Sequence, residues 1–426
     1  MNKTKEIFIT GFALFSMFFG AGNLMFPPLL GKNAADNWHL VTVGFFVTAV
    51  FIPILGILAY ARLQGTMYDF AKKVSPTFSL VYCFIVYAIS ITLPSPRTAS
   101  VTHEMAIEPY FSTSSLLTSS IYFLLVFFFA INRSKILNLI GKLLTPLIVI
   151  ILLSIIFIGV FSPIDITSTS IFEAPFTKGI LEGYQTFDAI GAVVVGGVLV
   201  ISMNFKKGSN FDEKKEVISK SGLIAGAGLL IIYTGLIYSG ALFGNLFAED
   251  VKRSEILIGI SNQTLGNLGT TFLSVLVALA CFTTAVGIVT GTADYFKGLF
   301  NNSQKAYTIT AIIGCILGVL VGQFDLHYIV NIALPALMFI YPITIALIIL
   351  NVIPEKWNSD LVFKWVVAVT FVFSIPDFLG FIIDPSLLTG IKSIIPLATN
   401  HLGWVLPALI TFVIVNMIDK TKKTQD

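Results

Sequence analysis

The sequence predicts an all-α polytopic membrane protein with about 12 transmembrane helices. Composition, run length and charge placement each point there. Of 426 residues, 56% are hydrophobic and only 12% charged, with a mean hydropathy of +0.89. A soluble chain is about one-quarter charged, so this one has too little charge to solvate a globular surface. Apolar runs recur from end to end, and a helix needs about 20 such residues to cross the hydrocarbon. The basic residues also cluster in alternate connections.

The runs lie near 7–30, 40–61, 77–106, 114–131, 139–161, 179–205, 220–247, 270–296, 306–322, 327–350, 362–383 and 395–418. In the third, "LPSPRTASVTHEMAIEPYF" reads either as an outer loop or as the outer half of one long helix broken after Leu93. With the N-terminus inside, the inner connections hold 20 of the 26 Lys and Arg, among them Arg62, Lys72, Lys73, Arg133, Lys206, Lys207 and Lys297. The positive-inside rule then places both termini in the cytoplasm. The longest polar piece, Lys206 to Lys220, is expected to be a cytoplasmic loop. One integral domain, 1–426, is expected.

The first run carries "FFGAGNLMFPP", Phe18 to Pro28. Glycine costs a helix about 1 kcal/mol relative to alanine, and Pro27 disfavours helix at Phe26. Unpaired backbone survives at membrane depth only when buried in protein or lining a polar cavity. A break there frees carbonyls that can hold a cation and amides that can hold a carboxylate. The alternative is a packing kink. The sixth run, "LEGYQTFDAIGAVVVGG", is interrupted similarly. Interrupted segments at corresponding places in two halves point to a transporter's central site. Runs one and six are five apart. That spacing fits inverted five-helix repeats, helices 1–5 over about 7–161 and 6–10 over about 179–350, with two extra helices over about 362–418.

Asp188 is the ionisable residue of that sixth run. Intramembrane carboxylates usually face a cavity or mark an ion path. It could meet a substrate ammonium, help a cation site or carry a proton; otherwise it is a helix-end residue reaching water. Thr283 and Thr284 are adjacent hydroxyls in an apolar run, suited to sodium but also able to bond their own helix. Gly314, Gly318 and Gly322 form a smooth packing face. Cys83, Cys281 and Cys315 read as apolar packing residues. There is no G-x-S-x-G, H-E-x-x-H or Walker A sequence. A lipid-modifying membrane enzyme is therefore the runner-up to a solute carrier, and no cofactor is expected.

"FGAGNLMFPPLLG", "PRTASVTHE", "GYQTFDAIGA" and "CFTTAVG" together resemble the bacterial branched-chain amino-acid carriers, the LIVCS family, over nearly the full chain. The family's "LPRTA" element reads "LPSPRTA" here, with Ser95 and Pro96 inserted. The resemblance implies a LeuT-type fold and sodium-coupled uptake of leucine, isoleucine and valine by alternating access. It implies a sodium shell of the Ser16, Phe19 and Ala280 carbonyls with the Thr283 and Thr284 hydroxyls. It places the substrate carboxylate at the backbone of Gly20, Ala21 and Gly22, beside Asn23. The ammonium would lie near Phe18 and Tyr184 to Phe187, with Thr186 and Asp188. Phe187, Ile190 and Tyr87 would hold the aliphatic side chain. The alternatives are proton coupling through Asp188 or exchange of another neutral amino acid. The expected partners are the amino acid, sodium and the bilayer of the cytoplasmic membrane, without nucleic acid or an obligatory protein partner. An ion pair between Arg97 and Glu104 is a further possibility.

Overall fold

A computed structural model describes residues 3–132, 135–204 and 210–423, with side chains except at 21–22, 135–143, 198, 201–204, 385 and 421–423. Of the basic residues assigned to the inner face, Arg133, Lys206 and Lys207 lie outside the described residues. Run one is cut as its glycines and prolines require. α1 spans Lys3–Phe18, a single 3-10 turn spans Ala21–Leu24, and α2 spans Phe26–Ala34 with proline in its first turn. Proline is tolerated there because the first amides of a helix have no intrahelical acceptor. α3 (Trp38–Phe46) and α4 (Ile52–Leu63) are joined by a π turn at Val47–Phe51, and a short α5 spans Met67–Lys72.

Run three follows the second of its two readings. α6 (Pro76–Thr92) passes through Leu93 into α7 (Pro94–Thr102) and a π turn, His103–Ile107. Residues 95–102 are buried, so the segment is a broken helix inside the protein and not an outer loop. α8 (Ser115–Asn132) and α9 (Lys135–Val160) complete the first half.

Run six divides into α10 (Pro175–Tyr184) and α11 (Asp188–Asn204). α12 spans Phe211–Phe243, so two-thirds of the expected polar loop, 211–220, is helical. Asn210 and Glu213 form a capping box, and that reciprocal cap starts the helix early. α13 spans Arg253–Leu299 but breaks at Gly266, whose φ of 68° leaves an outer segment, 253–265, ahead of the membrane run. α14 (Gln304–Gly322), α15 (Leu326–Val352) and α16 (Asp360–Leu379) follow. A short α17 (Thr389–Ile394) precedes α18 (Val405–Lys423). The last helix therefore begins about ten residues later than its apolar run. Among the described residues, eight helical stretches are long and apolar enough to cross a membrane, with shorter apolar helices at Leu144–Val160 and Asp188–Gly197.

The packing relates the two halves. α2 lies against α12, and α10 lies against α3. Both contacts bring backbones together through glycine pairs. A Cβ at Gly31 would fall 1.8 Å from the Ile237 carbonyl oxygen and one at Gly240 2.0 Å from that of Pro28. At the second contact, Gly44 and Gly179 would place a Cβ 2.0 Å from Phe176 O and 2.2 Å from Val41 O. Run one thus meets run seven as run six meets run two. This is the correspondence a five-helix repeat requires. α13 packs against α7, α8, α9 and α14, while α16 packs on α15 and α18 on α16.

Candidate functional site

The two breaks meet at the centre of this packing. The last regular bond of α1 runs from Phe19 N to Phe15 O at 2.7 Å. Gly20 N then bonds Phe18 O (2.8 Å) and Asn23 N bonds Gly20 O (2.9 Å). In a continuing helix these two amides would bond the carbonyls of Ser16 and Phe19. The chain turn bypasses both carbonyls, and they are the two that the resemblance assigns to sodium.

Asn23 joins the breaks. Its Nδ2 donates to Asp188 Oδ1 (2.7 Å) and Phe18 O (3.0 Å), and Tyr233 OH lies at 3.2 Å. Tyr233 of α12 in turn donates to Asp188 Oδ2 at 3.2 Å. Each carboxylate oxygen therefore has a donor. Asp188 is 3% exposed and stands at the start of α11, where the helix dipole favours negative charge. It lies inside the protein and does not reach water from a helix end.

Phe187 just before it has φ 61°, an uncommon conformation for an aromatic residue. Several contacts hold that turn. Thr186 Oγ1 donates to Gly183 O (2.8 Å) and accepts from Asp188 N (3.3 Å). Tyr341 OH of α15 accepts from Ala189 N (3.2 Å), and its ring stacks on Tyr184 at 4.4 Å. Arg97 Nη1 donates to Gln185 O at 2.7 Å, placing a cation on the carbonyl end of α10. The guanidinium lies over the rings of Phe26 (5.1 Å) and Phe187 (5.2 Å).

Arg97 and Glu104 are not paired. Glu104 accepts from Ser254 Oγ (2.6 Å) and from Leu326 N (2.8 Å), capping α15. Arg253 makes a two-point contact with Glu182 (3.1 and 3.3 Å), and its guanidinium also lies over the Phe26 ring, at 4.9 Å.

Of the other expected site residues, Ile190 and Phe187 are buried at the break. Gly20 faces Thr284: a Cβ there would lie 3.9 Å from the threonine hydroxyl. Thr283 Oγ1 donates to Ala280 O (3.0 Å), which leaves lone pairs on both oxygens. The Ser16 hydroxyl is bonded to Thr145 of α9 at 2.7 Å. Ala21 and Gly22 lie in the 3-10 turn, with their side-chain burial outside the described residues. Tyr87 stacks on Tyr295 at 4.3 Å. The aromatic ring sharing Arg97 with Phe187 is that of Phe26.

Sequence reading passed over Phe26, Glu182, Tyr233, Arg253 and Tyr341. Glu182 alone carried a usable signal, a charge inside an apolar run. The tyrosines and Phe26 are common membrane residues, and Arg253 falls in a connection.

Comparison with known proteins identifies the family and the fold. The profile of the branched-chain amino acid transport protein family matches residues 3–422. The chain is 32% identical over 424 residues to the branched-chain amino acid permease BraB of Bacillus subtilis, covering 96% of this chain and 94% of that protein. It is 30% identical to the branched-chain amino acid transport system 2 carrier protein of Pseudomonas aeruginosa, covering 98% and 97%. Among solved structures, inward-facing Mhp1 superposes with a TM-score of 0.60 at 12% identity, covering 97% of this chain and 91% of that one. MhsT in complex with L-phenylalanine gives 0.55 at 15% identity, covering 96% and 97%. These structures share the LeuT-type fold with this chain. The chain belongs to the branched-chain amino acid transport protein family and is a multi-pass membrane transporter, not an enzyme.

Proposed function

We propose that the protein imports leucine, isoleucine and valine across the bacterial cytoplasmic membrane by sodium symport, with both termini cytoplasmic. One observation carries the sodium reading. The Gly20 and Asn23 amides, the helical partners of the Ser16 and Phe19 carbonyls, bond elsewhere at a break whose Gly20 faces Thr284. A hard cation is suited by neutral carbonyl and hydroxyl oxygens. Sodium held between α1 and α13 stabilises the arrangement that binds substrate, which is a coupling free energy between two sites.

The substrate carboxylate meets the backbone of Gly20 to Gly22. The ammonium meets carbonyls at the second break near Tyr184 and Thr186. Phe18 O already accepts from Gly20 N and Asn23 Nδ2, and Gln185 O from Arg97, so neither is among them. Phe187 and Ile190 contribute apolar surface to the substrate's branched side chain, whose burial is worth about 1.5–3 kcal/mol. One methylene changes affinity by about 1–3 kcal/mol, so the three substrates share one site. Transport is alternating access, with one bundle rocking about the fixed midplane site.

The burial of Asp188 favours proton coupling as the second reading. Its two donors, Asn23 and Tyr233, suit an ionised carboxylate and favour a positioning role instead. The test is uptake of radiolabelled leucine into proteoliposomes under an inward sodium gradient, with choline replacing sodium at equal pH. Sodium-dependent uptake suppressed by excess valine supports symport. Uptake driven by a pH gradient alone moves coupling to Asp188.

A further inference from the structure

Two arginines lie over Phe26, and they differ in their partners. Arg253 is neutralised by the two carboxylate oxygens of Glu182. Arg97 is the more deeply buried, at 5% exposure, and has no carboxylate within ion-pair range among the described residues. Among the described residues it donates one hydrogen bond, to Gln185 O, and lies over the rings of Phe26 and Phe187.

No carboxylate touches it. Asp188 is the opposite charge that acts on Arg97 across the site, but its oxygens are bonded to Asn23 and Tyr233; Glu182 takes Arg253 and Lys178, and Glu104 takes Ser254 and the Leu326 amide. A buried charge with no carboxylate in direct contact is only partly compensated. Cation–π contact and one carbonyl offset only part of the remainder. A fold that needed only a cap on α10 could use a neutral donor.

Arg97 also sits beside both breaks. α7 packs against the 3-10 turn of run one, Ala21–Leu24. The guanidinium spans from Phe26, the first residue of α2, to Phe187 at the second break. One edge is held by Gln185 O. A guanidinium keeps further N–H donors in a planar fork that matches a carboxylate.

We propose that Arg97 binds the carboxylate of the transported amino acid. It does so together with the amides of the first break, and Phe26 and Phe187 fix the plane of the fork. Arg97 is then the residue that makes the carrier select amino acids over amines of the same side chain. This rests on the chain's reading as a carrier of branched-chain amino acids.

The test is competition against radiolabelled leucine binding to the full-length protein in nanodiscs, using leucine, leucinamide and isoamylamine. The last two keep the side chain and lack the carboxylate. In Arg97→Gln the leucine Kd should rise about 10- to 100-fold, as loss of a buried charged contact does. The inhibition constants for leucinamide and isoamylamine should change less than about threefold, so discrimination collapses. Arg97→Lys, which keeps the charge and loses the fork, should fall between. If Arg97→Gln does not fold, Arg97→Lys and phenylglyoxal labelling of the unmodified protein decide. Leucine should then protect Arg97 from the reagent and isoamylamine should not. Equal weakening of all three ligands, unchanged discrimination, or equal protection by leucine and isoamylamine overturns the proposal. Failure of the unmodified protein to bind leucine overturns the transport reading instead.

Discussion

The contact between Asn23 and Asp188 is the shortest polar link between the two broken helices, at 2.7 Å with both side chains buried. Replacing Asn23 by alanine removes the donor to Asp188 Oδ1 and to Phe18 O together. A hydrogen bond to a charged group contributes about 1.5–3 kcal/mol. Leaving a buried charge wholly unpaired costs about 3–5 kcal/mol, but Tyr233 still serves Oδ2. The expected loss for Asn23→Ala is therefore about 2–3 kcal/mol, and Asp188→Ala should cost a similar amount. The double variant should lose about 2 kcal/mol less than the two single losses combined, because the second change removes a partner already gone. The measurement is reversible unfolding of all four proteins in mixed micelles, with leucine binding followed in parallel. If the single losses add within about 0.5 kcal/mol, Asn23 and Asp188 do not hold the breaks together and the site must be rebuilt from other contacts.

Thr284→Ala should raise the sodium concentration for half-maximal uptake about tenfold or more while leaving leucine binding at saturating sodium nearly intact; full sodium-dependent uptake in this variant would remove Thr284 from the ion site. Gly31→Ala and Gly179→Ala should each sharply lower the yield of folded protein, since the new methyl meets backbone oxygen in both contacts, whereas Gly287→Ala, with no atom within 4 Å, should behave as the parent in size-exclusion chromatography. Glu182→Gln leaves Arg253 beside Phe26 without its carboxylate and should weaken leucine binding or stability by about 1–3 kcal/mol, with Arg253→Gln in the same protein recovering part of the loss; no recovery would show that the pair does not act as a unit.

Much of the protein was legible in one dimension. The shortage of charge and the recurrence of apolar runs decide the membrane class, because solvation is a property of composition. The breaks at 18–28 and 181–197 were legible because glycine, proline and asparagine act on the backbone within a few residues. The early start of α12 was also written locally, in Asn210 and Glu213, but the polar composition around it reads first as a loop.

What the folded structure decided is which side chains meet. Asn23 and Asp188 are 165 residues apart, and no periodicity couples them. Arg97 lies seven residues from Glu104, yet α7 points it at Gln185 and Phe187 while Glu104 turns to α13 and α15. Backbone preference is a short-range property, so the chain announces where its helices break. Partner choice among buried polar groups is set by how the helices pack, and only the three-dimensional arrangement contains it.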